Sequence, residues 1–180
     1  MSYSLPMLLL RIRIWCENLH VSRARNSGGR DDLPLSSLSR GDHVHGGLRF
    51  EIGGRLVPYL GYENANDVCF GSWLRELSGV ADAFLEATAR YIYDEGEQGQ
   101  PAFIFERTGN SSFLSIADSQ ISDGLADTEW QRVQFATDEF LSEYYQLQNS
   151  FVALLNGEAP ASAEDWIRAH DGVAPRKTAN

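Results

Sequence analysis

The chain has 180 residues, 43% of them hydrophobic and 22% charged, with a formal net charge of −10 at pH 7. Such a composition excludes a fibrous repeat and wholesale disorder, and a domain of this length buries roughly 70% of its unfolded surface. The acidity is uneven: residues 61–180 carry twenty acids against seven basic residues, whereas residues 1–60 carry eight arginines against five acids. An acidic surface repels phosphate backbones and attracts basic partners, which disfavours nucleic acid as a ligand.

The two cysteines, Cys16 and Cys69, lack CxxC or zinc-knuckle spacing and are read as reduced, buried thiols. The apolar run at residues 5–10 is cut by Arg11 and Arg13, with no preceding positive charge and no small-residue cleavage site. It is not a signal peptide. No run approaches the roughly 20 apolar residues that a membrane-spanning helix needs, so the expected location is the cytoplasm, with no membrane partner.

In chain order, residues 7–17 alternate, with Leu8, Leu10, Ile12, Ile14 and Cys16 on one face, which predicts a half-buried strand. Residues 21–46 are rich in Ser, Gly, Arg and Asp without periodicity and predict a flexible loop. Leu48, Phe50 and Ile52 alternate before Gly53-Gly54, the signal of a hairpin whose turn needs positive φ. A helix follows from an N-cap at Ser72, with Trp73, Leu77, Val80, Phe84, Thr88 and Tyr91 at helical spacing. Residues 94–100 end it. Residues 102–107 and 111–118 form a second hairpin around Thr108-Gly109-Asn110, and residues 130–135 predict a short strand. The last long helix starts near Thr137, with Phe140, Tyr144, Leu147, Phe151 and Leu154 as its stripe. The expected fold is α+β: an antiparallel sheet of about five to six strands with two long helices packed on one face. In domain terms, residues 1–20 are an N-terminal strand or appendage, 21–46 a flexible loop, 47–170 the α+β domain and 171–180 a disordered tail.

Chemistry is sparse. Asp42-His43-Val44-His45 is the one cluster suited to a metal, because His-x-His on a strand puts both imidazoles on one side and Asp42 is the nearest acid. Two ligands do not make a site. A cysteine nucleophile at Cys16 or Cys69 would need a histidine and an orienting acid, with His20, His43, His45 and His170 as the only candidates, none in a diagnostic local motif. There is no Gly-x-Ser-x-Gly elbow, P-loop or dinucleotide fingerprint. No catalytic residue, metal ligand set or cofactor is therefore assigned.

Residues 48–155 carry an order of features: the Phe50-Glu51-Ile52-Gly53-Gly54 hairpin, the Trp73-Leu74-Arg75-Glu76-Leu77 helix, Asp94-Glu95-Gly96-Glu97, the strand at residues 101–107, and the final aromatic helix. In that order the chain resembles small bacterial immunity proteins that partner polymorphic or contact-dependent toxins. The resemblance implies a non-enzymatic binding protein that neutralises a basic toxin domain, and it carries over no functional residue. The acidic loops supply the expected partner-binding face: Glu63, Asp67, Asp94, Glu95, Glu97, Asp118, Asp123, Asp127 and Glu129. The alternative expectation is a small metal-dependent hydrolase using His43 and His45.

Overall fold

The computed structural model describes residues 10–61 and 64–174. The fold is α+β, and the nine strands among the described residues divide into two antiparallel sheets. In the first sheet, β1 (Ile12–Ala24) lies between β2 (Arg30–Leu33) and β3 (His43–Ile52), and β3 also pairs with the short strands β4 (Arg55–Leu56) and β5 (Val68–Cys69). In the second, β6 (Arg90–Tyr93), β7 (Ala102–Thr108), β8 (Ser111–Ala117) and β9 (Val133–Ala136) follow in order. A parallel bridge between Leu10 and Phe135 joins the two.

Two long helices, α1 (Phe70–Leu85) and α2 (Thr137–Glu158), touch each other, with α1 packing on β3 and β6 and α2 on β1 and β9. Alternation explains the strand faces. Ile12 and Ile14 of β1 and Val44, Leu48, Phe50 and Ile52 of β3 are buried. The helical stripe of α1 buries Trp73, Leu77, Val80 and Phe84 against them. Phe140 of α2 ties the layers together, its ring 5.3 to 6.2 Å from those of Phe50, Phe84, Phe105 and Phe135, within the range of favourable aromatic pairing. A third helix, α3 (Ala163–Ala169), adds the fully buried Trp166, whose indole donates to the Asp42 carbonyl at 2.8 Å. Among the described residues no helix is long and apolar enough to cross a membrane.

Three expectations need correction. Residues 21–46 are not a structureless loop: β1 runs on to Ala24 and pairs with β2 from Val21↔Leu33 to Ala24↔Arg30, and Leu35 and Leu38 are buried in a short 3-10 turn and its exit. Periodicity missed this hairpin because arginine–aspartate pairs, Arg23 with Asp42 and Arg25 with Asp31, stand where apolar pairs usually do. The first helix stops at Leu85, and Ala87 adopts φ 56°. Tyr91 belongs to β6 yet lies against the helix, so close to Gly79 that a Cβ there would meet its hydroxyl at 2.4 Å. That contact is why the apolar spacing seems to continue. The strand expected at residues 130–135 is β9, three residues later, since Arg132 has φ 51° and Trp130 is buried beneath the Arg55 guanidinium.

Candidate functional site

The core-facing residues of β3 are the even-numbered ones, so His43 and His45 emerge together on the opposite face. On that face β5 pairs with β3 in the register His45↔Cys69. Directly opposed residues of an antiparallel pair present side chains on the same side, so the short strand sets Cys69 beside His45. The neighbouring backbone is unusually close. At Gly46 a Cβ would come within 2.8 Å of Leu19 Cδ2 and 2.9 Å of the Glu17 carbonyl. There β1 slips register between Glu17 and His20, with Asn18 at φ 54°, the bulge by which sheets re-aim side chains near sites.

Cys69 is also the N-cap of α1, where unpaired backbone N–H groups carry partial positive charge. Burial alone would push its thiol pKa up, but hydrogen bonds from His45, His43 and the Ser72 N–H outweigh it and bring the value down to about 6. The Nδ1 of His43 lies 3.8 Å from the sulfur. His45 is buried, and its Nδ1 is 2.6 Å from Asp67 Oδ1, which leaves Nε2 for Cys69. Burial disfavours a cation at His45, yet the cysteine and Asp67 hold its pKa above the ordinary imidazole value. Sulfur, imidazole and carboxylate thus form a chain in which each group stabilises the charge of the next.

Asp67 is itself held. Arg30 reaches its Oδ1 at 3.4 Å, and Arg49 of β3 donates to the Ala65 carbonyl and to Asn66 Oδ1, both at 2.7 Å, pinning the loop that carries it. The cluster opens into a cavity of about 300 Å³ bordered by Arg30, Trp73, Glu95 and Glu97, the lower end of the size range of ligand sites. Trp73 is fixed as a wall by donating its indole N–H to the Leu60 carbonyl at 2.8 Å.

The structure separates the residues singled out in the sequence. His43 and His45 come together, but Asp42 does not serve them: the Arg23 guanidinium grips it at 2.6 and 2.9 Å and the Ser39 N–H adds a third bond, holding its carboxyl below the usual range. Of the expected partner-binding acids, Asp67 orients His45, and Glu95 and Glu97 line the cavity. Asp94 accepts from Ser119 Oγ and the Gln120 N–H, Asp118 from the Ala126 N–H, Asp123 from the Gly99 N–H and Asp127 from the Glu129 N–H. Glu129 is exposed, and Glu63 lies outside the described residues. Cys69 is the member whose place the local sequence did not announce. The signal that could have found it is a cysteine just ahead of an amphipathic helix in a chain with a His-x-His strand, but the sequence places the helix N-cap at Ser72, whereas in the structure it is Cys69.

No family model, curated protein or solved structure matches the chain. The chemistry of the site therefore carries the functional reading.

Proposed function

We propose that the chain is a cysteine-dependent enzyme of the acyl-transfer class, with Cys69 as nucleophile, His45 as proton carrier and Asp67 as the group that orients His45. One observation carries this: Cys69 starts α1 beside an imidazole whose far nitrogen is 2.6 Å from a carboxylate. Nucleophile, base and orienting acid in that relation are the shared logic of thiol and serine acyl transferases and hydrolases.

In the proposed reaction the Cys69 thiolate attacks a carbonyl carbon and forms an S–C bond. Charge on the carbonyl oxygen is met by the N–H groups that open α1. The C–X bond to the leaving group then breaks, with the proton delivered by the His45 imidazolium. Water, giving its proton to His45, cleaves the thioester and regenerates the thiolate. The small cavity suits a compact acyl group rather than a folded polypeptide.

The test is a burst assay with p-nitrophenyl acetate on the reduced protein. One equivalent of p-nitrophenolate and an acetyl group mapped to Cys69 by mass spectrometry are expected, both lost in Cys69→Ala. Acetylation no faster than that of a free thiol, or placed on Cys16, would overturn the assignment.

A second reading keeps a binding protein of the immunity type for a basic partner, favoured by the exposed carboxylates of Glu95, Glu97, Asp118 and Glu129 in a chain of net charge −10. It expects Glu95→Lys with Glu97→Lys to slow association with a basic protein at low salt while Cys69→Ala does not. The opposite ranking counts against it.

A further inference from the structure

His43 carries no proton in that reaction, yet it is exposed where His45 is buried, and its Nδ1 faces the Cys69 sulfur at 3.8 Å. One ligand atom each from His43, His45 and Cys69 lies within 4.8 Å of the others. We propose that these three side chains form a zinc site with its fourth position open to the cavity, and that zinc reversibly silences the Cys69 nucleophile. The existence of the site stands on its own geometry; the silencing rests on the nucleophile reading.

The donor set decides the metal. Two imidazole nitrogens and one thiolate match a borderline-soft ion, whereas magnesium and calcium require oxygen ligands. In a tetrahedral zinc site, with Zn–S about 2.3 Å and Zn–N about 2.0–2.1 Å, neighbouring S and N ligands stand about 3.6 Å apart. The His43–Cys69 separation of 3.8 Å is already close to that edge. Asp67 acts as the outer partner: a carboxylate on Nδ1 of His45 fixes the ring and turns Nε2 toward the ion, the arrangement that metal-binding histidines use almost without exception. The ligands also sit on ordered elements, two on β3 and one where β5 enters α1, so little ordering entropy opposes binding. The surrounding charge agrees. A zinc ion with one thiolate leaves one positive charge, and Glu95 and Glu97 border the same cavity to offset it.

Zinc on the sulfur occupies the lone pair needed for attack and takes His45 Nε2, the atom that carries the proton. The loaded protein should be inert toward electrophiles, and a chelator should restore it.

The experiment uses the reduced 180-residue chain. Cobalt(II) is expected to bind with 1:1 stoichiometry and to give a thiolate-to-cobalt charge-transfer band that zinc bleaches. The band should vanish in Cys69→Ser and persist in Cys16→Ser. His43→Ala and Asp67→Asn should each weaken zinc binding by about 10–100-fold in a chelator competition, with the far-ultraviolet circular dichroism of the folded protein retained. No band and no retained zinc in folded wild-type protein, or a band that survives Cys69→Ser, overturns the site. In a second arm, one equivalent of zinc is expected to slow iodoacetamide labelling of Cys69 at least tenfold. Zinc binding that leaves labelling unaffected overturns the proposal, because the sulfur is then not a ligand. Fast labelling without metal binding removes the zinc site and leaves the nucleophile standing. Metal binding by a protein whose zinc-free Cys69 labels no faster than Cys16 does the reverse.

Discussion

Cys16 and Cys69 flank the same strand and have opposite chemistry. Cys16 lies on β1 opposite Leu48, whose side chain points into the core, whereas Cys69 lies on β5 opposite His45, which points the other way. Around Cys16 burial dominates and Glu17 adds to it, pushing the thiol up to about 11. Around Cys69 two imidazoles and the start of a helix outweigh burial and bring it down to about 6. Two thiols of similar exposure, one pushed up and the other brought down, show that burial alone does not set the acidity of a thiol. What decides is which face of β3 each cysteine is paired with, a matter of odd and even positions in one strand.

The largest expected effect is the contrast itself. At pH 7 a thiol with pKa near 6 is almost wholly thiolate, while one near 11 is thiolate about once in 10⁴ molecules. Intrinsic nucleophilicity falls with pKa and returns roughly 2 to 2.5 of those four decades, leaving Cys69 roughly 30- to 100-fold faster than Cys16 toward iodoacetamide. Peptide mapping of partly labelled, zinc-free protein gives both rates in one sample. Rates within twofold of each other would erase the distinction.

The next effect isolates the imidazole. As pH falls through about 6 the Cys69 thiolate is protonated, so its labelling should decline with a midpoint there, while Cys16 labelling keeps rising with pH up to about 11. His45→Ala removes the first hydrogen bond that opposes burial, and the Cys69 midpoint should rise by at least one unit, toward or beyond the ordinary thiol value near 8.5. The Cys16 profile should not move. A Cys69 midpoint that stays near 6 would assign the low pKa to the helix start and His43.

Much of this arrangement was legible in the sequence, and one decisive piece was not. The Gly53-Gly54 turn, the stripe from Trp73 to Phe84 and the shared face of His43 and His45 follow from local periods of 2 and 3.6. The pairing of Cys69 with His45 does not, because β5 has only two residues and no alternation to read. Asp67 was hidden differently. In sequence it is one more acid in an acidic loop, and only the fold shows that it is fixed on His45, next to Arg30 and beneath the Arg49 clamp. The 21–46 segment was obscured for a related reason, since its order comes from charge pairs and from contacts with β1 and α3 rather than from an apolar pattern of its own.

A smaller effect probes the bulge that lies between the two cysteines. Gly46→Ala places a Cβ against the Glu17 backbone oxygen and Leu19, and the backbone atom cannot turn aside. Overpacking of this kind costs about 1–3 kcal/mol, read as a lowered Tm. Because Gly46 adjoins His45, the Cys69 midpoint should also rise toward the ordinary thiol value. An unchanged Tm would mean that β1 can shift to admit the methyl group and that the bulge is not needed to build the site.

The smallest effect comes from Arg49, which touches both environments. Its guanidinium anchors the Asp67 loop through Ala65 and Asn66, and it pairs with Glu17 at 2.6 Å, the residue next to Cys16. Arg49→Met keeps the aliphatic stem packed on the outer face of β3 and deletes only the charge and the donors. Two consequences follow by separate routes. Asp67 retains its backbone N–H bond to the Asn64 carbonyl and its contact with Arg30, so it loosens without leaving, and the Cys69 midpoint should rise. Glu17 loses its cation, and because its charge already raises the Cys16 pKa, that value should rise as well. A partly exposed ion pair contributes about 0.2–1 kcal/mol, and one pKa unit corresponds to about 1.4 kcal/mol, so each midpoint should move by a few tenths of a unit. Both thiols therefore shift in the same direction from one substitution. If only the Cys69 midpoint moves, the Arg49–Glu17 pair is decoupled from Cys16; if only Cys16 moves, the loop is held by Arg30 and its own turn, and Arg49 is not what positions Asp67.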